Sequence, residues 1–115
     1  MAEVAKFWRE EHGDVSVYYI ATPLDEMTSQ SLIDFMAEEI KSGRRKIVFH
    51  MRKVDFISTQ GLGALVAITR MARERGGDLV ICELSSPNWD ILNEVQLLSV
   101  LNVTDTLDEA LLKFK

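Results

Sequence analysis

The apolar residues of this chain change period again and again, from two to about 3.6 and back, and that alternation limits the fold more than any single residue does. Val4 to Glu10 and Val15 to Ala21 have strand character, and His12-Gly13-Asp14 between them is a turn signal, so the chain opens as an antiparallel hairpin. Thr22-Pro23-Leu24-Asp25 breaks the pattern. From about Thr28 to Ser42 the period is helical, with Leu32, Phe35, Met36 and Ile40 on one face and Gly43 as the C-cap. Lys46 to Met51 returns to strand, and a second helix is predicted from about Gln60 to Arg75, closed by Gly76-Gly77. Leu79 to Cys82 is the next strand. Ser86 as N-cap with Pro87 behind it starts a third helix running to about Val95. Val100 to Val103 suits a short last strand, and Thr106 to Phe114 a closing helix with Thr106 and Glu109 as a capping box. Strands that alternate with helices are joined by right-handed crossovers, so the centre of the sheet is expected to be parallel and the hairpin makes it mixed.

At 115 residues the chain is read as one domain spanning residues 1–115. A hydrophobic fraction of 47% and a charged fraction of 27% belong to a globular protein and not to a disordered tail. The formal net charge of -5 argues against nucleic acid as a direct partner, since that affinity comes from neutralising phosphates. Arg44, Arg45 and Lys46 form a basic trio, read as a solvated turn between helix and strand. Cys82, in an apolar strand, is expected to be a small core side chain. No stretch approaches the length of a membrane span and nothing at the start reads as a signal peptide, so a soluble cytoplasmic protein is expected. Neither histidine has metal-ligand company. His50 near Thr59 suggests a base and a nucleophile, but no third residue completes the set, so no enzyme and no cofactor are expected.

The informative segment is Val54-Asp55-Phe56-Ile57-Ser58-Thr59-Gln60-Gly61-Leu62-Gly63-Ala64-Leu65, which joins an extended stretch to a helix through hydroxyl residues and glycines. Ser58 or Thr59 can cap the helix, and Gly61 and Gly63 let another backbone or a partner come close. A phosphate on a hydroxyl here would lie at the positive end of the helix dipole. Beyond the turn, Leu62, Leu65, Val66 and Thr69 suit a sheet-facing side. Ala64, Ala67, Ile68 and Met71 form a second stripe. This stripe is either covered by a neighbouring helix or is a docking face running back to Gln60 and Thr59. Trp8 and Trp89 are read as core residues, with a role as partner anchors the alternative.

Val54 to Leu65 and the following Val66–Arg75, Gly76-Gly77 and Asp78–Leu84 resemble the core of the STAS domain. The likeness continues through Ser85-Ser86-Pro87 and Thr104 to Ala110, with Leu24-Asp25 standing where the family has Leu-Asp before its first helix. The resemblance implies a STAS-like α/β fold, a mixed and mostly parallel sheet of four to five strands with helices mainly on one face. Within the family the turn is most similar to that of anti-sigma factor antagonists, whose pattern is Asp-Ser-Ser-Gly-Leu-Gly. There the first serine is phosphorylated by a partner that is both Ser/Thr kinase and anti-sigma factor. Carried over by position, the acceptor is Thr59, with Ser58 as the lesser candidate. Gly61, Leu62 and Gly63 match. Ser58 replaces the family aspartate, Gln60 the second serine, His50 an aspartate at the end of the preceding strand, and Gln96 a glycine. The resemblance thus implies a bacterial regulator of transcription whose partner surface takes in Asp25, Ser58, Thr59, Gln60, Gly61, Gly63, Ala64, Ala67, Ile68 and Met71. The alternative is a STAS subunit of a transport or signalling complex without a phosphoswitch, and a third reading needs a closed ligand pocket around His50 and Thr59.

Overall fold

A computed structural model describes residues 6–115. Two strands, β1 (Phe7–His12) and β2 (Val15–Ile20), are followed by α1 (Glu26–Lys41), β3 (Lys46–His50), α2 (Thr59–Glu74), β4 (Asp78–Cys82) and α3 (Ser86–Glu94). A 3-10 turn at Leu97–Ser99 leads to β5 (Asn102–Thr104) and α4 (Leu107–Leu112). Val4 and Ala5, placed in the first strand by periodicity, lie outside the described residues.

The strands form a single sheet in the order β1-β2-β3-β4-β5, with β1 antiparallel to β2 and every later neighbour parallel. Sequential order has a direct consequence. Each right-handed crossover carries its helix over the same side of the sheet, so α1, α2 and α3 share one face. Strand alternation supplies that face with Tyr18 and Ile20 from β2, Ile47 and Phe49 from β3, and Leu79 and Ile81 from β4. Leu32, Met36 and Ile40 of α1, Leu65, Ile68 and Ala72 of α2 and Leu92 of α3 close over them. The intervening residues Val15, Val17, Val48, Val80 and Cys82 face the other way, where α4 covers them with Ala110, Leu107 and Leu111. The end of α4 reaches the β1–β2 turn: Leu111, Phe114 and Lys115 share a cleft with Gly13 and Asp14.

Local chemistry sets the boundaries. Asp25, not a residue near Thr28, starts α1: its carboxylate accepts from the Thr28 backbone N–H at 2.9 Å, and Thr28 Oγ1 accepts from the Asp25 N–H at 3.0 Å. At the other end Gly43 follows the C-cap Ser42 with φ +117. The third helix begins one residue earlier than expected. Ser85 is its N-cap and Ser86 its first residue, because it is the Ser85 hydroxyl that reaches the Asn88 N–H, at 3.4 Å. Val100 caps the 3-10 turn and β5 starts only at Asn102. Thr106 and Glu109 form the expected capping box. Gly77 is forced by contact: a Cβ there would stand 2.0 Å from the Arg45 carbonyl oxygen.

The basic trio is consumed locally. Arg44 pairs with Glu11 at 3.2 Å, Lys46 with Asp14 at 2.6 Å, and Arg45 turns back to the Ile40 carbonyl at 3.4 Å. Cys82 is fully buried, and burial pushes its thiol pKa up to about 12, so it is an inert core residue as expected.

Candidate functional site

The segment before α2 runs beside the segment before α1. Leu24 and Ile57 form a parallel bridge. The Leu24 N–H donates to the Phe56 carbonyl at 2.8 Å, and the Ser58 N–H donates to the Leu24 carbonyl at 2.9 Å. These bonds place the starts of the two helices side by side, so Asp25 and the turn at Ser58–Gly63 belong to one surface. Gly61 makes the approach possible: a Cβ would lie 2.8 Å from both the Leu24 carbonyl oxygen and Ile57 Cγ2. Gly61 is therefore a packing residue under the turn. Gly63 is different. It is exposed, and a Cβ there would meet nothing within 4 Å.

The two hydroxyls of the turn have separate positions. Ser58 is half-buried and caps α2, its Oγ accepting from the Gly61 N–H at 3.1 Å. Thr59 is exposed at the first position of the helix, and its hydroxyl makes no hydrogen bond among the described residues. Gln60 is exposed and lines a cleft against α1. Asp25 is exposed too. The hydrogen bonds from Thr28 hold its carboxyl below the usual carboxylate range.

The second stripe of α2 divides. Ala64 and Ile68 are buried, 1% and 0% exposed, beneath the neighbouring α1, so they offer no surface for docking. Ala67 and Met71 are half-buried at the margin. Of the side read as sheet-facing, Leu65 and Thr69 are buried while Leu62 and Val66 are half-buried. The buried band of α2 is thus rotated from the expected one, because α1 and the sheet share it. Thr59, Gln60, Gly63, Ala67 and Met71 remain accessible from the expected contact set of this helix.

Two large apolar side chains near the turn are exposed. Met27 is 76% exposed in the first turn of α1, and Phe56 is 52% exposed two residues before Ser58. Val54 and Ile57 are buried while Asp55 and Phe56 between them are exposed, a spacing that strand alternation does not signal. Met27 lies on the far side of the helix from Leu32 and Met36.

His50 does not join Thr59. Its ring lies 4.7 Å from that of Tyr19, which is stacked on Trp8 at 5.5 Å, on the sheet face that α4 leaves open. The cleft there, about 300 Å³, is lined by Trp8, Glu10, Tyr19, His50, Arg52 and Lys53 among others and does not include Thr59. Burial holds the His50 pKa below 6.5. Trp89, read as a core residue, is 39% exposed.

With this geometry in hand, comparison with known proteins gives a consistent result. The sequence model of the STAS domain matches residues 7–110. The anti-sigma F factor antagonist of Paenibacillus polymyxa is 24% identical over 103 residues, covering 89% of this chain and 88% of the relative. Among solved structures, an anti-sigma factor antagonist from Mycobacterium paratuberculosis superposes with a TM-score of 0.83 at 20% identity, covering 93% of this chain and 91% of that one. The Bacillus cell fate determinant SpoIIAA in its phosphorylated form gives a TM-score of 0.71 at 16% identity, covering 95% and 99%.

Proposed function

Since the chain belongs to the STAS domain family and resembles its anti-sigma factor antagonists, we propose that it is a non-enzymatic binding module whose partner is an anti-sigma factor that is also a Ser/Thr kinase, and that phosphorylation of Thr59 releases that partner. The observation that carries the reading is the division of labour at the turn. Ser58 Oγ is engaged as the helix cap, while the neighbouring Thr59 hydroxyl is exposed and uncommitted. A kinase can reach Thr59 without unmaking the helix. Phosphorylation adds about -1.5 to -2 charges. At the first position of α2 that charge faces the positive end of the helix dipole, so the modified protein stays folded. Inside an interface formed with Gly63, Phe56 and Met27 the same charge is desolvated without a built counter-ion, and binding is lost.

The test uses each purified histidine-kinase-like anti-sigma factor of the source organism with ATP. Mass spectrometry should find phosphate on Thr59, and Thr59→Glu should weaken binding by at least about tenfold, some 1.4 kcal/mol. Phosphate on other residues alone, or an unchanged affinity for Thr59→Glu, contradicts the proposal. Ser58 and His50 stand where the family carries aspartates, and this favours a second reading, a STAS subunit that assembles without a phosphoswitch. In that case Thr59→Ala leaves function intact while a charge at Ala67 or Met71 abolishes assembly.

A further inference from the structure

Past the reach of α4 the sheet carries an aromatic row. Trp8, Tyr19 and His50 are successive partners across β1, β2 and β3, and Cys82 of β4 completes the line. The helix closes over Cys82, while the other three residues stay half-buried. Trp8 and Tyr19 lie nearly parallel, 9° apart with centroids at 5.5 Å, and the His50 ring is 4.7 Å from that of Tyr19. They line the cleft of about 300 Å³ at the carboxyl ends of β2 and β3. That is the end of a parallel sheet where ligands commonly bind.

Two charges flank the row without counter-ions. Glu10 is exposed on the same face, two residues or about 7 Å along β1 from Trp8. Among the described residues it meets no lysine or arginine, only His12 Nε2 at 3.6 Å. Lys53 is exposed beyond the end of β3, on the other side of the row. It pairs with no carboxylate among the described residues, and its ammonium stands over the Trp8 ring, 5.8 Å from the centroid. The remaining charged side chain of the lining, Arg52, is neutralised by Glu83 at 2.9 Å. The ring face thus already holds a cation, one supplied by the chain itself. A visiting cation would take that place and leave Lys53 beside a like charge. A visiting anion would meet Lys53 but bring its charge towards Glu10. A molecule bearing both charges removes both conflicts.

We propose that the cleft binds a small zwitterion that joins an alkylated ammonium to an anionic group. The ammonium replaces Lys53 over Trp8, with Glu10 beside it, and the released Lys53 swings to the anionic group. Alkylation suits the rings, because methyl groups pack on them while the charge is attracted to their faces. A free betaine and the phosphocholine headgroup of a lipid share this chemistry. The site is separate from the Ser58–Gly63 turn, so it does not depend on the partner reading.

The experiment titrates the whole chain with glycine betaine, choline and acetate, following the Trp8 indole and the His50 ring by NMR, with sedimentation on phosphatidylcholine vesicles in parallel. Glycine betaine is expected to shift both signals and to bind at least about threefold tighter than choline or acetate. Glu10→Gln should weaken glycine betaine and choline alike, by about threefold. Lys53→Gln should weaken glycine betaine by about threefold yet tighten choline, because the competing ammonium is gone. Both variants change exposed residues and should melt as the wild type does. Loss of choline affinity in Lys53→Gln, or acetate binding as tightly as glycine betaine, overturns the assignment of the two charges. If no probe shifts either signal and the vesicles retain nothing, the row only covers the sheet and the inference falls. Glycine betaine bound without retention on vesicles assigns a free solute. Retention on vesicles that Glu10→Gln abolishes assigns a lipid headgroup.

Discussion

His50 is the last residue of β3, half-buried beside the Tyr19 ring, and desolvation is the main reason its pKa is lowered. Glu83 and Glu10 pull the other way, while Arg52 reinforces the shift. The folded state therefore favours the neutral ring. Its contribution to stability is complete above pH 6.5, the unfolded value, and is lost as pH falls through the lower folded value. NMR titration should give a His50 midpoint below 6.5, and unfolding measured from pH 7 to pH 5 should show stability falling with a slope that His50→Gln reduces. A midpoint above the unfolded value would contradict the buried placement. The same residue marks where reading by sequence proximity ends. His50 precedes Thr59 by a short loop and resembles a base for it, yet strand alternation sends its ring to the opposite face.

Among elements, α2 concentrates the information. Its cap, its start and its glycines were legible, because each is a local matter of a hydroxyl, a dihedral angle or a missing side chain. The face it buries was not, because the rotation depends on α1, whose position no local pattern encodes. The two glycines of this helix offer a clean contrast. Gly61→Ala drives a Cβ to 2.8 Å from the Leu24 carbonyl oxygen and should cost about 1–3 kcal/mol in urea unfolding. Gly63→Ala meets nothing within 4 Å and should stabilise the helix by up to about 1 kcal/mol. If Gly63 serves close approach of a partner, the more stable variant is the poorer binder. Equal effects of the two substitutions on stability would mean that the turn packs otherwise.

At the scale of the molecule, the alternation of periods was enough for the element order and the parallel centre, and right-handed crossovers supplied the shared face of the first three helices. The fifth strand was shifted, since a three-residue edge strand carries almost no periodic signal and the 3-10 turn before it borrows the same apolar residues. Coverage predicts a gradient of protection. Strands β2, β3 and β4 are paired on both sides and lie under helices on at least one face, whereas among the described residues β1 and β5 each have one unpaired edge. Native-state hydrogen exchange should find β3 amides slower than those of β5 by at least about tenfold. Equal protection would imply that the sheet opens only as a unit.

The meeting of α4 with the β1–β2 turn has a practical consequence. Lys115 lies beside Gly13 and Asp14, at the end of the sheet where β2 begins, while the Ser58–Gly63 turn follows the opposite end of β3. A fluorophore or biosensor tether attached at Lys115 would stand away from the turn, so immobilised protein should report partner association without masking it.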